Sequence, residues 1–179
     1  MAAPTASHDS LSVGEYLELE AVATVRHEYV GGEIFAMVGA TERHNRIVGN
    51  ILVRLWEAVR GGDCRVYAES AKLRVADDVI YYPGVMVARG PEGNDPCLVV
   101  GVASPSTETT DRREKLAAYK RMPGLRAYLI VAQARRWVES HVRGEDNLWQ
   151  RGALLDQGRF SVPCPEAELS LAEIYEGLE

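Results

Sequence analysis

The sequence predicts a mixed α/β domain (α+β, with a mixed sheet), and three patterns support this fold class. Two apolar runs, at 97–103 and 126–132, flank a charged segment at 111–121. A buried strand, a crossover helix and a second buried strand form a βαβ unit, so these strands are predicted to be parallel. Apolar residues recur at helical spacing over 41–60, which predicts a long helix. Alternating runs around two glycines at 26–38 predict a hairpin.

Local signals predict the remaining elements. Ser12 and Glu15 have the spacing of a capping box, as do Ser170 and Glu173, so a short helix is predicted after each serine. The other segments with strand patterns are 65–75, 79–88, 136–142, 147–151 and 159–162.

Length and composition indicate a single globular domain. A chain of 179 residues has the usual length of one domain. Residues 1–10 are predicted to be a disordered lead, and residues 11–179 are predicted to form the domain. The sequence has 46% hydrophobic and 26% charged residues, which is typical of soluble proteins. An apolar run of about 18 residues, as a membrane helix needs, is missing, so no membrane partner is expected. The first ten residues lack the basic and apolar regions of a signal peptide.

The cysteines and histidines do not form a recognisable metal motif. Cys64, Cys97 and Cys164 are odd in number and far apart, which predicts reduced core thiols in a cytoplasmic protein. The four histidines lack metal-ligand spacing. His27 and His141 lie in strand patterns and are expected to be surface or partly buried polar residues.

The net charge of −6 is uneven along the chain. Residues 139–179 hold nine acids and three arginines, which gives −6, whereas residues 1–138 hold seventeen of each sign and are neutral. Nucleic-acid binders usually carry a basic excess, because phosphate neutralisation supplies most of the non-specific affinity. A nucleic-acid role therefore requires a local basic face.

Two segments carry candidate binding residues. In "ATERHNRIVGNIL", Arg43 and His44 lie in the first turns of the long helix, where unpaired N–H groups suit a phosphate or carboxylate. In "SPSTETTDRREKLAAYKRM", Lys115 lies one turn from the end of a buried strand, at the sheet edge where α/β proteins bind ligands, and Arg113 lies on another helix face. The residues alone favour plainer readings, namely a capped helix start and a solvated amphipathic helix with Asp111 in its first turn.

A glycine, Gly101, interrupts the apolar strand "CLVVGVA", and glycine inside a strand usually marks a bulge or a close approach. The segments "SVGEYLELE", "RHEYVGGEIFAMVGATERHNRIVGNI", "YYPGVMV", "LVVGVASPSTETTDRREKLAAYKRMPGLRAYLIV" and "LSLAEIYE" resemble the bacterial Uma-type restriction endonuclease family. That family belongs to the PD-(D/E)xK nuclease superfamily, and the resemblance extends over about residues 11–178. It implies a restriction-endonuclease-like core flanked by helices.

The resemblance also implies a metal site built from two acids. The family pattern has an aspartate after the proline of "YYPGV" and a glutamate within "LVVGVASPST", and these carboxylates would hold Mg²⁺ for water activation. The two positions are occupied here by Gly84 and Gly101. Lys115 matches a lysine in the family's helix that would stabilise the transition state. Glu69 and Asp111 are the candidate replacement ligands.

The double loss predicts a nuclease-fold protein that is catalytically impaired and does not bind Mg²⁺. Two alternatives stay open: an active endonuclease that has recruited another acid, and a non-catalytic module that binds nucleic acid or protein as a homodimer. Trp137 and Trp149, as exposed aromatics in an acidic tail, predict the homodimer. If both glycines occupy ligand positions, Gly84 and Gly101 should lie in neighbouring strands and point into one cleft that also receives Lys115.

Overall fold

The computed structural model describes residues 10–37 and 39–178, so all but the last residue of the predicted disordered lead lies outside the described residues. In chain order the elements are α1 (Val13–Val22), β1 (His27–Val30), β2 (Glu33–Ala36), α2 (Glu42–Val59), β3 (Cys64–Ala68), β4 (Leu73–Ala76), β5 (Val79–Tyr81), β6 (Val85–Arg89), β7 (Asp95–Ala103), α3 (Glu108–Thr110), a π-helical turn (Asp111–Lys115), α4 (Leu116–Lys120), β8 (Ala127–Ala132), β9 (Trp137–Arg143), β10 (Trp149–Leu155), β11 (Arg159–Pro163), β12 (Glu166–Ser170) and α5 (Leu171–Ile174).

The chain divides into two compact units. The small unit comprises the residues up to Gly39 together with Arg74–Tyr81, and the large unit comprises Ala40–Leu73 together with Tyr82–Glu179. The extent of the domain, predicted as 11–179, stays a prediction. Within the described residues, no helix is long and apolar enough to cross a membrane.

The small unit contains α1 and strands ordered β2-β1-β5-β4. The predicted capping box opens α1, and the predicted hairpin joins β1 to β2. Gly31 and Gly32 form its turn with φ values of 58° and 93°, which favour glycine. Tyr16 stacks on Tyr29 with 5.0 Å between ring centroids, and both rings pack with Ile80 in a small core.

The large unit is built on a six-stranded sheet with the order β10-β9-β8-β7-β6-β3. Strands β7 and β8 are parallel, as the βαβ pattern predicts, and the other neighbours are antiparallel. The segments predicted as strands at 79–88, 97–103 and 126–132 contribute adjacent strands, because β7 pairs with β6 on one side and with β8 on the other.

The two faces of this sheet differ. The apolar face packs against α2. The buried residues of this core come from both the helix and the sheet, and they include Ile47, Val48, Ile51, Leu55, Val85, Val87, Leu98, Val100, Leu129 and Val131. The opposite face, called the polar face below, carries Gly101, Tyr128, Ile130, Glu139 and His141. These five share a face because Gly101 pairs with Ile130, Ile130 with Glu139, and Tyr128 with His141 across neighbouring strands. The segment from α3 to α4 covers this face, and the Tyr119 ring lies 4.7 Å from the Tyr128 ring.

The helix predicted at 111–121 is wrong in its start and its regularity. It begins at Glu108, after a loop in which the Thr107 hydroxyl accepts a hydrogen bond from the Ser104 N–H. A π-helical turn follows, in which the Leu116 N–H bonds to the Asp111 carbonyl. Asp111 therefore lies in the second turn and not in a capped first turn.

Several strand boundaries also differ from the prediction. The segment 65–75 divides into β3 and β4 because Glu69, after β3, takes a positive φ of 44° that ends the strand. The segment 79–88 divides into β5 and β6 around Pro83, which has no N–H to donate to a ladder. Strand β12 was not predicted, and the capping box at Ser170 opens a helix of only four residues.

The prediction that the cysteines are reduced thiols is wrong for two of the three. Cys97 in β7 and Cys164 after β11 form a disulfide with a Cα–Cα distance of 5.7 Å across 67 residues of sequence. They meet because residues of the β11–β12 hairpin pack into the same core as β7. Cys64 remains a free thiol.

Candidate functional site

Gly101 lies on the polar face, two residues before the end of β7. A Cβ atom at this position would lie 3.1 Å from the Tyr128 hydroxyl oxygen and 3.4 Å from Oδ1 of Asp111. The φ of Gly101 is outside the left-handed region, so its backbone does not require glycine. The close approach expected from the sequence is therefore a contact with polar side chains, and an added Cβ needs only a small adjustment of Tyr128.

Asp111 and Lys115 lie at the two ends of the π-helical turn, directly beside Gly101. Lys115 Nζ is 3.7 Å from Oδ1 of Asp111, and the Tyr128 hydroxyl donates to the same Oδ1 at 3.4 Å. Asp111 is only 5% exposed, so it is a buried carboxylate with one cationic and one hydroxyl neighbour. The structure thus brings three of the predicted residues together: Gly101, Asp111 and Lys115.

Gly84 lies with a different pair of predicted residues. Its carbonyl accepts a hydrogen bond from the Glu69 N–H at 3.1 Å, and Oε1 of Glu69 lies 2.6 Å from Nε2 of His44. The backbone of Glu69 is left-handed, which is uncommon for residues other than glycine and is often found at functional sites. Gly84, like Gly101, has a backbone conformation that any residue can adopt.

The two glycines lie close together in the sheet. Val85 pairs with Val100, so the same antiparallel register carried one residue further places Gly84 beside Gly101. A Cβ on Gly84 would lie 3.3 Å from the Val100 carbonyl oxygen and 3.5 Å from Cγ2 of Val102. The expectation that both positions point into one cleft with Lys115 stays a prediction.

Arg43 connects the start of α2 with the carboxyl end of β8. Its Nε donates to the carbonyl of Gln133 at 2.6 Å, and the Gln133 side-chain amide donates to the hydroxyl of Thr41, the N-cap of α2. Arg43 therefore lies at the edge where the parallel strands end, which is where α/β proteins bind ligands. The predicted binding roles of Arg43 and His44 stay predictions. Arg113 is exposed on the covering helix, away from this group of contacts.

The residues around the glycines do not fit a Mg²⁺ site. Mg²⁺ is held by carboxylates and other oxygen ligands in an octahedral arrangement. The Asp111 carboxylate is engaged by Lys115 and Tyr128, and the Glu69 carboxylate by His44. Across residues 10–37 and 39–178, the one convergent group of three or more His, Cys, Asp or Glu side chains consists of cysteines.

Sequence reasoning missed a second charged cluster on the polar face. Glu139 and His141 are 2% and 3% exposed, and Nε2 of His141 lies 2.7 Å from Oε1 of Glu139. Arg151 donates to Oε2 of Glu139 at 2.9 Å, and Arg112 Nε lies 3.4 Å from the same oxygen. The expectation that His141 is a surface or partly buried residue is wrong, since it is fully buried and pairs with Glu139 through Nε2.

The pKa is lowered for both buried members of the network, for different reasons. Burial alone raises the pKa of Glu139, but the hydrogen bonds from Arg151 and His141 together hold that pKa below its ordinary value. Burial lowers the pKa of His141, against the opposing attraction of Glu139. A neutral His141 donates to Glu139 from Nε2, and its Nδ1 has no hydrogen-bond partner within the described residues.

The tryptophans behind the homodimer prediction are not exposed. Trp137 is half-buried beneath Arg112 and Arg135, whose guanidinium carbons lie 4.3 and 5.1 Å from the ring centroid. Trp149 is half-buried beneath Arg143, at 4.8 Å. This removes the reason given for the homodimer, which itself stays a prediction.

Comparisons with known proteins identify the family of this chain. The family model Uma2, described as "Putative restriction endonuclease", matches residues 13–172. The protein slr1290 of Synechocystis sp. (strain ATCC 27184 / PCC 6803 / Kazusa) is 32% identical over 98% of this chain and 96% of its own length. The protein sll1609 of the same organism is 31% identical over 78% of this chain and 84% of its own length.

A solved structure shares the fold. The crystal structure titled as a putative nuclease belonging to DUF820 from Anabaena variabilis ATCC 29413 has a TM-score of 0.75, with 14% identity. The match covers 92% of this chain and 97% of that chain. The fold is therefore the mixed α+β, restriction-endonuclease-like fold that the sequence predicts, and the family and fold together indicate a nuclease of the restriction endonuclease type. With the family model matching nearly the whole sequence, this chain belongs to the Uma2 family.

Proposed function

We propose that this chain is a nuclease-fold protein of the restriction endonuclease type whose hydrolytic site is disabled by the glycines at positions 84 and 101. The observation that carries the proposal is the composition of the Gly101 site. Asp111, which is paired with Lys115, and Tyr128 both adjoin a position that presents no carboxylate of its own. Phosphodiester hydrolysis needs an activated water and an offset for the charge on the phosphate, and a metal held by two acids supplies both.

The remaining acids are poor substitutes for the missing pair. Asp111 Oδ1 is 3.4 Å from the place of a Gly101 Cβ, so it is the acid nearest the lost position. Its ion pair with Lys115 and its hydrogen bond from Tyr128 use the oxygen that a metal would need. Glu69 is bound to His44 beside Gly84. One carboxylate in each place, each already paired, does not make the shared cage that Mg²⁺ requires.

Nucleic acid is the partner class that the family suggests for this chain. Arg43 at the carboxyl end of β8, His44 beside it in α2 and the exposed Arg113 are the proposed phosphate contacts. Arg112 and Arg135, by contrast, form ion pairs with Glu108 and contribute less free charge. We therefore expect weak, salt-sensitive binding of DNA without cleavage.

Restoring the acids tests the proposal. The double variant Gly84→Asp/Gly101→Glu should nick supercoiled plasmid in the presence of Mg²⁺ or Mn²⁺, whereas the parent should not. The matched control is Gly84→Asn/Gly101→Gln, which has the same shapes without the charges and should stay inactive. Failure of the acid variant to cleave or to bind Mn²⁺, while it remains folded, would contradict the assignment of these positions.

An active endonuclease with a migrated acid is the second candidate, because Asp111 adjoins the Gly101 position. In that case the parent itself should cleave plasmid with added Mg²⁺, and Asp111→Asn should abolish cleavage. Melting temperatures with and without Mn²⁺ provide a readout that does not depend on activity, since a metal that binds only the folded state stabilises it. A metal-dependent rise confined to the double acid variant supports the disabled-site proposal.

A further inference from the structure

The three cysteines of the chain meet in the large unit, although they lie far apart in the sequence. Their Sγ atoms are all within 4.8 Å of one another. Cys64 begins β3, Cys97 lies in β7, and Cys164 lies between β11 and β12. A disulfide joins Cys97 to Cys164, so the third sulfur, the free thiol of Cys64, lies against an existing disulfide.

The three differ in their access to solvent. Cys97 is fully buried and Cys164 is 9% exposed, and both belong to the apolar core. Cys64 is half-buried. Thiol reagents in solution therefore meet Cys64 first, whereas direct attack on the disulfide requires the core to open. A buried disulfide of this kind is inert unless a neighbouring thiol provides a route to it.

We propose that the three cysteines form a disulfide-exchange triad in which Cys64 is the entry point to the buried disulfide. The Cys64 thiolate attacks one sulfur of the Cys97–Cys164 bond. One S–S bond forms as the other breaks, and the bonding electron pair leaves on the displaced sulfur. That thiolate takes up a proton equivalent to the one lost by Cys64, so the internal step needs no oxidant or reductant. The proximity of the three sulfurs makes the step intramolecular.

Arg89 lies opposite Cys64 in the antiparallel register of β3 and β6. The pKa of Arg89 is raised, chiefly by its hydrogen bond to Asp95. The Arg89 side chain is fixed by this bond at 2.7 Å and by donation to the Gly124 carbonyl.

Exchange changes which strand holds the β11–β12 hairpin. In the structure the hairpin is tied through Cys164 to β7, the strand that also carries Gly101. When Cys64 attacks Cys164, the hairpin becomes tied to the edge strand β3 and Cys97 becomes a free core thiol. The new disulfide includes the half-buried sulfur, so small thiols of the glutathione class can then reduce it from solution.

Trapping the exchanged pair is the first test. Under oxidised glutathione, the folded Cys97→Ser variant should form the Cys64–Cys164 disulfide, which peptide mapping without reduction detects. The Cys164→Ser variant offers the other pairing, Cys64–Cys97. Finding Cys64 unpaired in both folded variants would overturn the proposal.

Kinetics provide the second test and use a variant that keeps the native disulfide. Reduced glutathione should open the Cys97–Cys164 bond at least about tenfold more slowly in Cys64→Ser than in the parent, because the intramolecular route is lost. In guanidinium chloride Cys64 no longer adjoins the disulfide. The reduction rate of each folded protein is therefore divided by its own reduction rate in guanidinium chloride before the two proteins are compared. Equal normalised rates for the two folded proteins would overturn the proposal.

Discussion

The two faces of the six-stranded sheet bury different kinds of side chain, although neighbouring residues of the same strands contribute to both. The apolar face buries aliphatic side chains such as Leu129 and Val131 against α2. The polar face buries Glu139 and His141, and its covering helix adds the buried Asp111. Burial of aliphatic groups stabilises the fold directly, whereas buried charges stabilise it only when every partner is present. The core and the candidate chemistry of this protein therefore lie on opposite sides of one sheet.

The largest expected effect is on the apolar face. Leu129→Ala should lower the free energy of unfolding by about 3 kcal/mol, because Leu129 is fully buried and its loss leaves a cavity. Leu148→Ala is the control: this leucine is 66% exposed, and the change should stay within about 0.5 kcal/mol. Denaturant titration measures both. Similar losses for the two leucines would contradict the location of the core.

The next effect is on the polar face, at Glu139. Glu139→Gln should cost about 2 kcal/mol, because it weakens the hydrogen bonds from His141 and Arg151 at a buried position. The control is Glu168→Gln in the exposed pair with Arg159, which should cost about 0.5 kcal/mol or less. If the two changes cost the same in denaturant titration, the buried network contributes no more than a surface ion pair.

A pH dependence isolates His141. Burial lowers its pKa in the folded state, so on acidification the unfolded state takes up a proton first. The free energy of unfolding should therefore fall as the pH drops through about 6.5, the ordinary histidine value, and this contribution should level off below the folded pKa. His141→Gln keeps a donor for Glu139 and should lose less stability between pH 7.5 and 5.5. Parallel pH profiles for the parent and variant would contradict this.

The smallest effect concerns the contact at Gly101. Gly101→Ala places a Cβ 3.1 Å from the Tyr128 hydroxyl oxygen and should slightly destabilise the parent. The same change in a Tyr128→Phe background should be neutral or stabilising, because the hydroxyl is gone and alanine restricts the unfolded chain. A coupling of about 0.5 kcal/mol in this double-mutant cycle is expected. Its absence would show that the space beside Gly101 is wider than the structure has it.

Local periodicity predicted the fold well. The order of strand, helix and strand that begins with the Gly101 strand predicted the parallel pairing of β7 and β8. Hydrophobic spacing and connection length together limit the topology of such a segment. The glycine in β7 also drew attention to a position that adjoins Tyr128 and Asp111, since an apolar run with one missing side chain is visible in the sequence. Its neighbour Asp111 was named as a candidate ligand, although its place in the helix was wrong.

What the sequence could not provide depends on register and distance. Glu139 and His141 alternate along a strand, but the partner Arg151 becomes recognisable only once the β9–β10 register is known. The pairing of Cys97 with Cys164 depends on packing of a hairpin 67 residues away.

The π-helical turn changes the angle around the helix axis between two buried side chains. Asp111 and Tyr119 are eight residues apart, and in an unbroken α-helix of 3.6 residues per turn they would stand about 80° apart around the axis. The wider turn absorbs one residue, so the pair stands as if about seven residues apart, which is nearly two whole turns. Tyr128 can then meet both, one with its ring and the other with its hydroxyl. The alignment of this site is thus encoded in the number of residues between 111 and 119 as well as in their chemistry.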